Sequence, residues 1–327
     1  MPLPLAAGPI DMAPSLKDLG TPGSSRGAVG NGQTSPITLP LPTISDHDGD
    51  MEGPEPDEFG TSHLPFSTAR ADLLTAATNT QYPYRASGQL TFQKPNDNST
   101  WYCSASMIKR GIVVTAAHCV ANYGQSQFYH NWHFYPGRRS NTAPYGNWTV
   151  YQAWVKTAYL NGTDNCAQYG VVCPDDVATL ILNPQSGNYV GSQTGWYAYG
   201  WGGFGFYNGL THITQIGYPL CLDNGRLMER NDSQGSVSGS DSSNTIIGSL
   251  MCGGSSGGPW LNNFGIRPTL TGQINGTAFN PNVVVGVTSW GYETNQSVKQ
   301  QGASPFTSNN ITSLVTSACN SQPTACQ

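Results

Sequence analysis

The chain has 327 residues, of which 10% are charged, with 39 Gly, 23 Pro and a formal net charge of -5; that length allows one large or two ordinary domains with real cores. Seven acids and no Lys or Arg lie between Asp46 and Glu58, whereas residues 71–327 hold 11 Lys plus Arg against 10 Asp plus Glu. The near-neutral body offers no basic footprint for nucleic acid, and no run approaches 18 consecutive apolar residues, so no helix is expected to span a membrane.

At the N-terminus, "MPLPLAAGPIDMAPS" has neither a basic n-region nor an adequate apolar h-region, so no signal peptide is read there. Residues 1–70 read as an acidic, Pro/Gly-rich leader or pro-segment, too poor in apolar periodicity to fold alone. Within it, "DHDGDMEG" (46–53) starts like a calcium loop, but Met51 stands where the sharp turn needs Gly, and a solvated acidic stretch is the better reading.

From "YPYRASGQLTF" (82–92) onward the chain consists of short β-type runs broken by Gly, Asn and Pro: "GIVVTAA", "NWTVYQAWV", "DVATLIL", "WYAYGWG", "ITQIGYPL" and "PNVVVGVTSW". Only "SNNITSLVTSAC" (308–319), opening with Ser and Asn cap candidates, reads as a helix. The expected class is all-β, a sandwich or barrels; residues 71–327 suit two small barrels, about 82–185 and about 186–318, and no internal repeat is visible.

Eight cysteines (103, 119, 166, 173, 221, 252, 319 and 326), an even number with no CxxC pair, predict disulfides and an oxidising, extracellular setting. Secretion rests on them. Seven Asn-x-Ser/Thr sequons, at Asn98, Asn147, Asn161, Asn231, Asn275, Asn295 and Asn310, are usable only in a eukaryotic secretory pathway. "GWGGFG" (200–205) satisfies GxGxxG, but no helix-forming stretch follows, so no dinucleotide cofactor is expected. His130 and His133 in "HNWH" have no clear third ligand and read as surface histidines, so no metal is expected.

Acyl hydrolysis by serine needs a base for the hydroxyl proton, an acid to fix that base's tautomer, and amides for the oxyanion. His118 follows the apolar run "IVVTAA"; Asp175 and Asp176 precede another, "VATLIL"; and "CGGSSGGPW" (252–260) places Ser255 and Ser256 among glycines that let backbone amides face a ligand. Gly254 to Gly258 also fits GxSxG, but that architecture needs a histidine after the serine, and none follows His212. The order His118, Asp176, Ser256 remains.

From about residue 82 to 318 the chain resembles a chymotrypsin-fold (trypsin-like) serine endopeptidase through "TAAHC" (115–119), "DVA" (176–178), "GWG" (200–202), "GSSGGP" (254–259) and "SWG" (289–291). The entry "NTQYPYRASGQL" is similar to the secreted microbial branch near the glutamyl endopeptidase group. The resemblance implies two six-stranded antiparallel β-barrels with a C-terminal helix, a protein or peptide substrate, and a monomer without cofactor. It implies His118 as general base then acid, Asp176 as its orienter, Ser256 as nucleophile, and the Gly254 and Ser256 amides as oxyanion hole, with Asp175 a spectator.

The resemblance further implies a Cys103–Cys119 disulfide. Cys252 usually pairs with a later cysteine, but Cys319 and Cys326 suit each other across a short loop, which leaves Cys252 for Cys221 and Cys166 for Cys173. Two departures stand out. Ser255 replaces the acid that in animal relatives binds the freed N-terminal ammonium, and no "IVGG"-like start occurs; activation would instead proceed by leader removal around Arg70 or by relief of steric block. Leu250, six residues before Ser256, replaces the acid of trypsins, so an apolar or medium-sized side chain is expected before the scissile bond. Thr288, Ser289 and Gly291 would complete that pocket, Thr288 standing where glutamyl endopeptidases carry His; an acidic preference through the Thr288 and Ser289 hydroxyls is one alternative, and a catalytically silent binding homologue the other.

Overall fold

The computed structural model describes residues 20–40, 64–73, 77–166, 170, 172–237, 244–269, 271, 276, 278–291 and 299–327. Six strands close a first barrel: β1 (Ser87–Gln93), β2 (Trp101–Lys109), β3 (Ile112–Thr115), β4 (His130–Pro136), β5 (Trp148–Val155) and β6 (Ala178–Leu182). Six more form a second: β7 (Leu210–Gly217), β8 (Glu229–Val237), β9 (Thr245–Gly248), β10 (Pro259–Asn262), β11 (Val283–Gly291) and β12 (Gln300–Pro305). Around the first ring the order is β1, β2, β3, β6, β5, β4 and back to β1, all antiparallel. Around the second it is β7, β8, β9, β12, β11, β10 and back to β7, the same order six strands on. No sequence repeat announces this duplication.

The runs "IVVT" of β3 and "ATLIL" of β6 are buried at every position. Such strands lack the in-out alternation of a half-exposed sheet because they are covered on both faces. Their outer cover includes the C-terminal helix Ser313–Ser321, which packs on β5 and β6. Leu314, Val315 and Ala318 are its buried face, and burying Leu314 and Val315 contributes about 1.5–3 kcal/mol each. The predicted cap lies one residue earlier than read. Thr307 and Asn310 form a reciprocal capping box over a π-turn at Ser308–Thr312, and the helix proper continues to Ser321, short of Pro323. A disulfide between Cys319 and Cys326 clips the end.

Parts of the leader are ordered against the barrels. Gly23 and Ser24 pair with Trp201 and Gly200, and Ile37 and Thr38 with Ala143 and Thr142. Phe66–Arg70 pairs residue for residue with Ser233 to Glu229 of β8, and so lies in the second barrel's sheet. The stretch 46–53, read as a solvated acidic run, lies outside the described residues. "GWGGFG" leads from a short strand, Ala198–Trp201, through turns to β7, with no helix at its end. Two sequons are unusable: Asn231 is 0% and Asn310 1% exposed, and their amides are bonded to Gly248 O and to Pro174 O and Pro305 O.

Candidate active site

The apolar strand β3 ends at Thr115, and a single 3-10 turn, Ala117–Cys119, then presents His118 between the barrels. The Cys103–Cys119 disulfide ties that turn back to β2. Asp176, fully buried, stands just before β6, which pairs with β3. One register step thus brings acid and imidazole together. Asp176 Oδ2 lies 2.8 Å from His118 Nδ1, and Oδ1 accepts the His118 backbone N–H at 2.9 Å. The Ser289 hydroxyl donates to Oδ2 at 2.5 Å. With its Nδ1 proton held by a carboxylate, a neutral imidazole keeps its lone pair on Nε2. That Nε2 is buried and has no hydrogen-bond partner among the described residues.

The glycine-rich turn of Ser256 is gripped from both sides. From barrel one, the Ser104 N–H donates to Ser256 O at 2.7 Å and the Ser104 hydroxyl to Gly254 O at 2.8 Å. From barrel two, Thr288 O accepts the Gly257 N–H at 2.7 Å. Gly257 (φ 77°) has room for no side chain, since a Cβ there would come within 2.0 Å of Thr115 Oγ1 and 2.9 Å of Ala116 N. This close approach sets Ser256 against the strand end that carries His118. Gly254 (φ 93°) likewise faces Tyr218 O. The amides of Ser255, Gly257 and Gly258 are spent on the carbonyls of Cys252, Thr288 and Ser255. Those of Gly254 and Ser256 donate to no carbonyl among the described residues, leaving two neighbouring donors for an oxyanion.

Ser255 has a neutral anchor where animal relatives use an acid. Its hydroxyl donates to Cys252 O at 2.7 Å and accepts from Gln301 Nε2 at 3.2 Å. Gln301 Nε2 also donates to Met251 O at 2.8 Å, and Gln301 Oε1 accepts from Gln215 Nε2 at 2.5 Å. Gln215 reaches Thr288 Oγ1 and takes the Ser249 hydroxyl. Neither glutamine was picked out in the sequence, because β7 and β12 are far apart in the chain and give no local signal.

The expected pocket residues divide. Leu250 is half-buried, with its N–H on Thr68 Oγ1 at 3.2 Å, and Gly291 pairs with Gln301. Thr288 and Ser289, expected in that pocket, are both 0% exposed. Thr288 Oγ1 accepts from Trp260 Nε1 and Gln215 Nε2 inside barrel two, and the Ser289 hydroxyl is committed to Asp176. Among the described residues the bonds of His118 to a carboxylate go to Asp176, not Asp175, whose N–H donates to Asp164 Oδ2. Burial and the neighbouring Asp175 push Asp164 up to about 6. His130 and His133 are bonded to Gln93 O and to Asn147 and Asn131. The cysteines pair as expected, at 103–119, 166–173, 221–252 and 319–326.

Residues 75–311 match the family model described as trypsin. An extracellular metalloprotease of Bacillus subtilis (strain 168) is 32% identical over 127 residues, which make up 38% of this chain and 35% of that protein, so the chain matches about a third of its length. A solved thermostable serine protease, AL20, from an extremophilic microorganism superposes with TM-score 0.58 at 22% identity, over 73% of this chain and 98% of that one. A Glu endopeptidase solved in complex with MPD gives 0.51 at 18%, over 77% and 95%; both are likenesses of fold. Among the described residues, three potential metal-ligand atoms converge at Cys103, His118 and Cys119 and at Asp164, Cys166 and Cys173. In both places the two sulfurs form a disulfide and offer no thiolate. No helix among the described residues is long and apolar enough to cross a membrane.

Proposed function

The chain belongs to the trypsin family of serine proteases, and we propose that it is a secreted endopeptidase working through an acyl-enzyme on Ser256, with an apolar or medium-sized residue before the scissile bond. The observation that carries this reading is the Asp176-held His118 with Nε2 unengaged, beside a serine turn that keeps two amides unspent. Ser256 Oγ attacks the carbonyl carbon as His118 Nε2 takes its proton, and the carbonyl oxygen, now negative, accepts the Gly254 and Ser256 N–H groups. The amine leaves with the proton from His118. Water, deprotonated by the same nitrogen, then releases the acyl group.

The unengaged Nε2 fits a resting enzyme, in which the bond to the serine tightens when substrate arrives. The half-buried Leu250 supports an apolar preference. Four disulfides support an extracellular destination, and the exposed Asn98 and Asn161 could bear glycans there. A serine-directed phosphonylating reagent followed by mass mapping tests the reading. The adduct belongs on the Ser256 peptide, and an unlabelled Ser256 in an unblocked protein would refute it. A peptide-library digest then gives the preference.

A further inference from the structure

On the barrel-one side of the Ser256 turn, a cavity of about 340 Å³ is lined by Thr91, Tyr102, Tyr135 and Arg138, together with Leu39 and Pro40 of the leader. It adjoins the site through short links. Tyr102 lies two residues before Ser104, which holds Ser256 O, and Arg138 O accepts the Tyr218 hydroxyl at 3.0 Å while the Tyr218 N–H donates to Ser104 Oγ at 2.9 Å. Thr288 grips the turn from the other side, through its O and N–H on Gly257 N and Gly258 O, so the cavity lies on the barrel-one flank of the turn.

Arg138 is 3% exposed. Its Nε donates to Ser140 O at 3.1 Å and its Nη1 to Gln89 Oε1, but Nη2 is buried and donates to nothing. It belongs to none of the ion pairs among the described residues. Burial pushes its pKa down; the ionisable groups that act on it are Tyr218, Tyr102 and Tyr135 and one further cation, Arg226, whose own Nε is buried without an acceptor. A buried guanidinium without counter-charge is costly, and a carboxylate is the partner whose shape suits its fork.

We propose that this cavity is a carboxylate-binding subsite anchored by the Arg138 guanidinium and flanked by Tyr102 and Tyr135, which takes an acidic side chain of a peptide bound beside the Ser256 turn. That the peptide is a substrate rests on the protease reading; the anion binding does not. The same chemistry has a second source in the leader. Asp46 follows Pro40 by six residues, a reach of roughly 20 Å of extended chain.

The test is calorimetric titration of the full chain with tetrapeptide amides carrying one Glu at the first, second or third position, each against its Gln twin. It is repeated on a chain whose seven acids from Asp46 to Glu58 are amidated to Asn or Gln. At least one Glu peptide should bind about tenfold more tightly than its twin, and the difference should vanish in Arg138→Gln. A preference in the intact chain points to substrate acids. One that emerges only after leader neutralisation points to leader carboxylates on Arg138 in the intact chain. Equal binding or none in both chains, or a preference that survives Arg138→Gln, overturns the subsite. The Glu-against-Gln comparison needs no variant and stands even if Arg138→Gln misfolds. Phosphonylation of the same samples separates the two readings: a labelled Ser256 without Glu preference removes the subsite alone, and Glu preference with an unlabelled Ser256 removes the protease alone.

Discussion

Asp176 divides its two oxygens between holding the imidazole and holding its own position. Oδ1 takes the His118 backbone N–H, while Oδ2 takes the ring and the Ser289 hydroxyl. Asp176→Asn would present an N–H to Nδ1 and favour the wrong tautomer, so kcat should fall by about 10⁴-fold with the fold intact. Ser289→Ala removes one of three hydrogen bonds to the carboxylate. A fall of about tenfold in kcat with KM unchanged is expected, each such bond being worth roughly 1.5–3 kcal/mol when charged. Steady-state kinetics decide both, and a Ser289→Ala enzyme altered only in KM would make Ser289 a pocket residue after all. His118, Asp176 and Ser256 could be picked out from short motifs because each sits at the end of an apolar run or inside a glycine turn. The anchors Gln301 and Gln215 could not, being ordinary polar residues whose function exists only across strands.

At the scale of the element, strands with apolar runs could be read directly and polar ones could not. "ERNDSQGSV" of β8 looks like loop, yet four of its polar residues, Glu229, Asn231, Ser233 and Ser236, are 3% exposed or less. Phe66–Arg70 lies alongside its first five residues, Glu229–Ser233, which no local pattern reveals. Glu229, at the start of β8, carries a titration. Burial, and Asp223 beside it, push Glu229 up to about 8 from an ordinary 4.5, while Arg70 holds Asp223 below its usual range. The folded state therefore holds the Glu229 proton that the unfolded chain has released above pH 4.5. Stability from this group is complete below the unfolded value and is lost as pH rises toward the folded one, at up to about 1.4 kcal/mol per pH unit. Asp164 adds a slope of the same sign only up to about 6. Between pH 6 and 8 the melting temperature should therefore fall in the parent and stay flatter in Glu229→Gln. Equal slopes would remove Glu229 as the cause.

The whole molecule is two rings of one strand order with the site in the seam, and the leader is fastened to both. Arg85 donates to Val29 O at 2.7 Å, and Leu64 is buried in a cluster with Trp290, Val172 and Ile246. Sequence composition separated leader from body at 70, since acids, Pro and Gly dominate before it, but composition is blind to a strand whose partner lies 160 residues on. Phe66–Arg70 makes five paired positions with β8, Thr68 bonds both Asn231 and the Leu250 N–H, and Arg70 forks onto Asp223. A chain begun at residue 71 would lose the burial of Leu64 and Phe66, about 1.5–3 kcal/mol each, and uncover Trp290. Its melting temperature should drop by about 10 °C against a chain begun at residue 64, and Trp290 emission should become accessible to iodide only in the shorter chain. Leu250, bonded to this strand, should then be less fixed, so the chain from 64 should phosphonylate at Ser256 faster than the chain from 71. Equal melting points and equal labelling would show the strand to be a passenger, and would put the processing point back at Arg70.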